Sequence, residues 1–155
     1  MGMELIEGVV ARAQRLIPDD RGFLMEMLRS DWPEFKRFGQ AYMTACYPGI
    51  VKAWHVHTKQ WDHFSCVHGT AKVVLYDARE QSATNGRINE FYIGPLNPRL
   101  VVIPPLVYHG FTAVGVEPAL IINIPTELYD YETPDEHHLP FDDPSIPYSW
   151  VPKSR

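Results

Sequence analysis

The sequence has few cysteines, no excess of basic residues and no long apolar run, and each absence excludes a class of protein. Only Cys46 and Cys66 occur in 155 residues, too few for the disulfide framework of a small secreted domain. The net charge of −5 at pH 7 excludes the basic surface that nucleic-acid binding requires. Glu4 and Glu7 interrupt the N-terminal segment, so it lacks the apolar stretch of a signal sequence. We therefore expect a cytoplasmic protein that binds neither nucleic acid nor membrane.

Amphipathic helices of useful length are also missing, and the dominant hydrophobic period is two. Residues 9–17 and 23–28 are predicted to form one hairpin, and residues 63–69 and 70–79 another around Gly69. Turn residues separate the remaining β-rich segments at intervals of about ten residues, which is typical of a sandwich or barrel. Those segments are residues 40–47, 50–57, 89–94, 99–104, 108–115 and 118–125.

The period predicts one all-β domain over residues 1–155, with little helix. Eight or more strands in two sheets favour a cupin-like double-stranded β-helix, a jelly-roll barrel whose inward side chains line a pocket. Residues 134–155 are rich in proline and aspartate and are predicted to form an irregular tail. We expect His137 and His138, which lie in this tail, to face solvent.

The stretch KAWHVHTKQWDHF, residues 52–64, contains the most chemically informative residues. His55 and His57 are two apart, so on one strand they face the same side, while Trp54 faces the other. His109 lies on a later predicted strand and can converge on the pair inside the barrel. Imidazoles in such a pocket either bind a metal or transfer protons on a substrate.

The metal hypothesis rests on spacing. Cupins with a metal site have the pattern G-x5-H-x-H-x3-4-E-x6-G followed by a later histidine, and this sequence resembles it with Asp in place of Glu. Three imidazoles and a carboxylate suit zinc, iron or manganese. A metal-dependent dioxygenase or isomerase would use His55, His57, Asp62 and His109.

A second resemblance covers most of the chain, because ordered matches run from about residue 8 to about residue 150. The matching segments are DDRGFLME (19–26), FGQ (38–40), GIVKAWHVH (49–57), DAREQSATNG (77–86), IPPLVYHGF (103–111), ELYDYETPDE (127–136) and FDDPSIPYSW (141–150). In this order they resemble the dTDP-4-dehydrorhamnose 3,5-epimerase family, whose members are cupin-like barrels that use no metal cofactor.

The resemblance implies an isomerase that inverts carbon centres beside the ketone of a nucleotide-linked 4-keto-6-deoxy sugar. His55 stands at the family's position for the base and Tyr131 at its position for the acid. Tyr129 lies only two residues earlier, so the alignment does not fully separate it from Tyr131 as the acid. A homodimer is implied, formed through the N-terminal strands at about residues 8–28. The residues implied to bind substrate, some of them across that interface, are Arg21, Glu26, Gln40, Lys52, His57, Lys59 and His109.

The chain departs from the family at three positions near His55. Asp62 replaces a lysine that supports the enolate, His57 replaces a glutamine, and Lys52 replaces an arginine. Lys59 lies close enough to substitute for the missing lysine. The family's aspartate that orients the base aligns beyond Arg155, so we expect another acid to orient His55. The sequence is compatible with epimerisation of one carbon centre and with epimerisation of two.

Three alternatives are kept beside the epimerase hypothesis. The His-x-His pair resembles the sugar 3,4-ketoisomerases of the same superfamily, which shuttle protons between adjacent sugar carbons. The metal-dependent cupin described above is the second alternative. A non-catalytic sugar-binding cupin is the third, and it would retain Arg21 and the pocket but lack a working acid–base pair.

Overall fold

Alternating apolar residues build a fold of short strands in the computed structural model, which describes residues 3–152. Within that range there is no helix, and hence none long and apolar enough to cross a membrane. The strands are β1 (Val10–Ala13), β2 (Leu16–Asp19), β3 (Gly22–Met25), β4 (Tyr42–Cys46), β5 (Val51–Val56), β6 (Asp62–His68), β7 (Ala71–Asp77), β8 (Ile88–Ile93), β9 (Arg99–Ile103), β10 (Val107–Ala113), β11 (Ala119–Asn123) and β12 (His137–His138).

Two five-stranded antiparallel sheets form the barrel. The first has the order β1-β9-β6-β11-β4 and the second β12-β5-β10-β7-β8. Apolar side chains such as Phe64, Leu75, Val101 and Ile121 are buried in the main core, which both sheets supply. The all-β prediction is therefore confirmed, and the pocket expected inside the barrel adjoins this core at Phe64 and Phe111.

Both predicted hairpins differ from the structure. Residues 9–17 divide into two strands, so that β1 pairs with β9 and only β2 pairs with β3. The second prediction, a hairpin around Gly69, is wrong because β6 and β7 lie in different sheets. Gly69 makes the corner between them with φ +68°, where a Cβ would lie 2.2 Å from the carbonyl oxygen of Pro118. Alternation locates strands but does not say which sheet a strand joins.

The segment DAREQSATNG (77–86) forms a loop that closes on itself around one buried carboxylate. Asp77 accepts hydrogen bonds from Arg79, Ser82 and Thr84. Burial alone would raise the pKa of Asp77, but these hydrogen bonds hold it well below its usual range. Arg79 and Thr84 also bond the backbone of Glu7. This segment thus ties the N-terminal segment to the second sheet, away from the histidines.

The described part of the C-terminal tail has little regular structure beyond β12, and it is docked on the second sheet. Trp54 exchanges backbone hydrogen bonds of 2.9 and 3.0 Å with Leu139, and β12 adds a short strand to the free edge of β5. A separate apolar cluster on the outer face holds the tail there, built from Trp54, Val74, Ile146 and Trp150. The end of the predicted tail, residues 153–155, lies outside the residues that the structure describes.

A bulge in β5 decides which side chains reach the pocket. In the pairing of β5 with β10, His55 lies opposite His109 and Lys52 lies opposite Phe111, so β5 has one residue more than its partner. Strict alternation would place Lys52 on the same outer face as Trp54. The extra residue shifts the phase, and Lys52 lines the same cavity as His55. Alternation alone would therefore misplace this lysine.

Gly110 makes the close approach at the bulge possible, and its substitution by alanine tests the point. An added Cβ would lie 2.2 Å from Cβ of Ala53 and 2.8 Å from the carbonyl oxygen of Lys52. We expect Gly110→Ala to lower the free energy of unfolding by about 1–3 kcal/mol, the usual cost of overpacking, as measured by urea denaturation. Adding Ala53→Gly should recover part of the loss, and a single variant as stable as the wild type would contradict this account.

Candidate active site

The pocket inside the barrel is a cavity of about 440 Å³ whose polar lining comes mainly from β5, β10 and the tail. A second cavity of about 330 Å³ adjoins it, since Tyr42, His57 and Glu136 line both. The polar side chains that line the first cavity include Lys52, His55, His57, His109, Glu136 and His138. The two cavities together provide room for a substrate larger than a single sugar ring.

The structure brings some of the predicted site residues together and separates others. Lys52, His55, His57 and His109 share the first cavity, and Gln40 and Tyr131 line the second. Arg21 and Glu26 lie away from both, at the β2–β3 turn and after β3, with ion pairs to Asp19 and Arg29. Lys59 is exposed, and its backbone amide bonds Asp135.

His55 has a carboxylate partner that holds its ring. Nδ1 of His55 lies 3.1 Å from Oε1 of Glu136. Because a carboxylate oxygen can only accept, Nδ1 carries the hydrogen and Nε2 retains the lone pair. Burial lowers the pKa of His55, although hydrogen bonding and charge from Glu136 act in the opposite direction. The ring is therefore neutral near pH 7 and has one basic nitrogen available.

Glu136 and His138 were not identified from the sequence as site residues. The ring of His138 packs edge-on against that of His55 with centroids 4.5 Å apart, and its Nε2 lies 3.4 Å from Oε1 of Glu136. His138 is about half exposed, so the expectation that it faces solvent is only partly right. Both residues reach the cavity because β12 pairs with β5. The sequence signals for Glu136 were its place at the end of the matched segment 127–136 and the expectation that another acid orients His55.

His57, Asp62 and His109 form a second, more buried group. Oδ2 of Asp62 lies 3.4 Å from Nε2 of His57 and 3.5 Å from Nε2 of His109. Burial lowers the pKa of His109 to about 4, although the charge of Asp62 acts to raise it. A residue at the start of a strand can face solvent, but Asp62 is only 1% exposed.

The four residues of the cupin metal pattern thus divide between two groups. His57, Asp62 and His109 present ligand atoms to one point, whereas His55 does so with Glu136 and His138. Either group contains the nitrogen and oxygen ligands that zinc and related ions use. His109 nevertheless lies in the same cavity as His55 and His57, which is the convergence that the sequence predicted.

Asp135 connects the tail to the loop between β5 and β6. Its carboxylate accepts hydrogen bonds from the backbone amides of Thr58, Lys59 and Gln60. Burial acts to raise the pKa of Asp135, but these bonds and the Thr58 hydroxyl lower it to about 2. The backbone carbonyl of Asp135 accepts a hydrogen bond from Nδ1 of His57. One residue of the tail therefore positions both the loop and an imidazole.

Two tyrosines of different character line the cavities. The hydroxyl of Tyr42 accepts a hydrogen bond of 2.9 Å from Asn123, and burial, with the charge of Asp62, raises its pKa to about 12. Tyr131 is 88% exposed, and its ring packs edge-on against Tyr129 with centroids 5.1 Å apart. Tyr42 was not among the residues predicted from the sequence.

Comparisons with known proteins agree with this architecture. A model of the dTDP-4-dehydrorhamnose 3,5-epimerase family matches residues 4–155. Over 150 residues, 96% of each chain, the protein is 47% identical to Agl13 of Haloferax volcanii, a probable low-salt glycan biosynthesis epimerase. It is 42% identical over 146 residues to SpsL of Bacillus subtilis, a spore coat polysaccharide biosynthesis protein, with 94% of this chain and 97% of SpsL covered.

One solved structure is similar over nearly the full length of both chains. The crystal structure of a dTDP sugar isomerase from Desulfovibrio desulfuricans superposes with a TM-score of 0.90 at 39% identity, covering 96% of this chain and 94% of that one. The cupin-like fold and the isomerase class, both expected from the ordered motifs, are confirmed. The chain belongs to the dTDP-4-dehydrorhamnose 3,5-epimerase family and is a sugar epimerase.

Proposed function

We propose that the protein epimerises a nucleotide-linked 4-keto-6-deoxy sugar, with His55 as the base and Tyr131 as the acid. The observation that carries the proposal is the contact of His55 with Glu136, which leaves Nε2 of a cavity-lining imidazole free to accept a proton. The family to which the chain belongs supports the substrate class, as does its similarity to the crystal structure of a dTDP sugar isomerase.

The chemistry follows from the acidity of a C–H bond beside a ketone. Nε2 of His55 takes that proton, the C–H electrons form the carbon–carbon double bond of an enolate, and the ketone oxygen gains the negative charge. Tyr131 then donates its hydroxyl proton to the opposite face of the same carbon, which inverts the centre and restores the ketone. Tyr131 is suited to this role because it lines the second cavity, which adjoins the cavity of His55, and because its side chain is exposed.

Lys52 supplies positive charge to the same cavity. Its Nζ donates a hydrogen bond of 3.0 Å to the hydroxyl of Thr44, which holds the ammonium group at the wall. An ammonium ion stabilises an enolate oxygen or a phosphate as a point charge, without the paired contacts of a guanidinium. We assign Lys52 to binding one of these two groups, and Gln40 to the sugar or nucleotide in the second cavity.

Incorporation of deuterium tests this function directly. Incubation with dTDP-4-keto-6-deoxyglucose in heavy water should place deuterium at carbon 3, carbon 5 or both, as read by NMR. His55→Gln and Tyr131→Phe should each lower the rate of epimerisation by about 10²–10⁴-fold because each removes a proton-transfer group.

Tyr129→Phe and Tyr42→Phe are the matched controls, since each removes a hydroxyl near the same cavities. Both should stay within about tenfold of the wild type, below the loss of a proton-transfer group. Near-normal turnover in His55→Gln and Tyr131→Phe, or a larger loss in Tyr42→Phe than in Tyr131→Phe, would overturn the assignments. Binding of the nucleotide sugar without any exchange would favour the non-catalytic sugar-binding alternative.

Glu136 is proposed as the positioning residue that orients the His55 ring. Removing the carboxylate frees the His55 ring to exchange tautomers, so fewer molecules have the basic nitrogen on the correct side. We expect Glu136→Ala to lower kcat by about 10–100-fold with little change in KM. Glu136→Gln should recover part of that loss because its amide oxygen can still accept from Nδ1.

A structural role alone would not change the His55 tautomer, so nitrogen NMR of the imidazole provides the second readout. The hydrogen should reside on Nδ1 in the wild type and be divided between both nitrogens in Glu136→Ala. Glu132→Gln, a change of the same kind at an exposed position nearby, is the control and should alter neither kcat nor the tautomer. An unchanged tautomer in Glu136→Ala would refute the positioning role.

A homodimer through the N-terminal strands explains why Arg21 and Glu26 lie away from the cavities of their own chain. The β2–β3 hairpin is a separate two-stranded sheet, and its apolar side chains Phe23 and Leu24 are 65% and 58% exposed. The two side chains lie on opposite faces of the hairpin, and exposed apolar groups of this kind are typical of an element that another protein covers. We propose that this hairpin packs on a second copy and presents Arg21 to its substrate.

Light scattering after size-exclusion chromatography tests the dimer. The wild type should have about twice the chain mass of 17.8 kDa, and Phe23→Ser with Leu24→Ser should shift it toward the monomer because less apolar surface is buried. Leu96→Ser removes an apolar side chain that is 97% exposed elsewhere and should leave the mass unchanged. A wild-type monomer at micromolar concentration would refute the proposal.

A further inference from the structure

We infer that His57, Asp62 and His109 bind one divalent transition-metal ion at the inner wall of the cavity, contrary to the metal-free expectation from the family. The inference concerns a different set of atoms from the His55–Glu136 pair. It rests on three buried side chains whose electron-pair donor atoms face one another. It does not require the proposed catalytic roles.

The tautomer of each histidine follows from its outer contact. Nδ1 of His57 donates to the carbonyl of Asp135, and Nδ1 of His109 lies 3.1 Å from the carbonyl of Val107. Carbonyl oxygens accept and cannot donate, so in both rings the hydrogen resides on Nδ1. A neutral imidazole then has its lone pair on Nε2, the atom that faces Asp62 in each ring.

The facing carboxylate oxygen has no hydrogen-bond partner. Oδ2 of Asp62 is fully buried, and no donor within residues 3–152 reaches it. The other oxygen, Oδ1, accepts hydrogen bonds of 2.8 Å from Gln60 and 2.7 Å from Asn123. A buried carboxylate oxygen without a partner costs free energy unless a cation compensates it. The two amides hold the carboxylate so that its uncompensated oxygen points at the imidazoles.

The distances suit a shared ion better than direct hydrogen bonds. Oδ2 lies 3.4 Å and 3.5 Å from the two Nε2 atoms, beyond the usual 2.7–3.2 Å of an N–H···O bond. Ligands at about 2.0–2.2 Å from a tetrahedral ion are about 3.3–3.5 Å apart. The three ligand atoms all lie within 4.8 Å of one another. Small side-chain adjustments therefore bring all three into the coordination shell of one ion.

The surroundings resemble those of a metal site in a further respect. Metal-binding imidazoles usually donate their second nitrogen to a carbonyl or carboxylate, and metal-binding carboxylates are themselves hydrogen-bonded. Both histidines here donate to backbone carbonyls, and Asp62 accepts from two amides. All three side chains are also at least nine-tenths buried. The ligands are therefore held in place before any ion arrives.

The ligand set indicates which ion fits and what position remains open. Two imidazoles and a carboxylate suit Zn²⁺, with Co²⁺, Fe²⁺ and Mn²⁺ as further candidates. Three protein ligands would leave a fourth position for water or substrate, and His57 and His109 line the cavity from which either would reach it. If the proposed function holds, an ion held by these residues would supply Lewis-acid polarisation of a ketone oxygen in the cavity.

Metal binding can be measured without substrate, using chelator-treated wild-type protein and Co²⁺ or Zn²⁺ as the probe. We expect one ion per chain by calorimetry and the visible absorption of four-coordinate Co²⁺. Asp62→Asn and His57→Gln should each weaken binding by about 100-fold or more, since even a partner behind a ligand contributes about 10–100-fold. Gln60→Ala, which frees the carboxylate without removing a ligand, should weaken it by about tenfold.

His138→Gln is the control, because His138 belongs to the other group of possible ligands with His55 and Glu136. It should bind Co²⁺ as the wild type does, and circular dichroism should show that every variant folds. Absence of stoichiometric binding in the wild type would overturn the inference and indicate that a protonated histidine pairs with Asp62. Wild-type affinity in both Asp62→Asn and His57→Gln, or loss in His138→Gln, would also overturn it. Because no sugar is present, these results are independent of the deuterium exchange experiment.

Discussion

The docking of the C-terminal tail on the free edge of β5 is the contact on which the site depends. Trp54 pairs with Leu139 through the backbone, and its indole is fully buried beneath the tail on the outer face of the sheet. On the inner face of the same strand, this pairing delivers Glu136 and His138 to His55. A strand edge leaves backbone N–H and C=O groups unpaired within the protein unless another segment pairs with it, so one interaction stabilises the second sheet and completes the cavity.

Two histidines that are chemically alike in the sequence acquire different properties from their partners. His55 meets a carboxylate at Nδ1 and is half-buried, so it retains an accessible basic nitrogen. His57 meets a backbone carbonyl at Nδ1, is more deeply buried, and directs Nε2 at the uncompensated oxygen of Asp62. The first arrangement suits proton transfer, and the second suits a cation. The proposed proton transfer therefore uses His55 and the proposed metal site uses His57, so the two roles do not depend on the same side chain.

Much of the fold could be predicted because a period of two is a local property. It located most of the barrel strands and the side of β5 on which His55 and His57 lie, and the ordered motifs identified the family. Partner choice between strands is not local, so the hairpin around Gly69 was wrong: that turn carries the chain from one sheet to the other. Alternation alone likewise misplaces Lys52, which only the family resemblance implied to bind substrate, since its inward placement depends on a bulge between β5 and β10.

The sequence by itself determined the all-β class, the identity of the family and three of the four histidines that line the cavity, because alternation and ordered motifs are written along the chain. Only the tertiary structure decided which acid serves which histidine. Glu136 lies 81 positions from His55, and Asp62 meets His109 across the interior between two sheets. These contacts depend on strand pairing and burial over long separations. They set the tautomers and the local charge, and it is these properties that distinguish a base from a metal ligand.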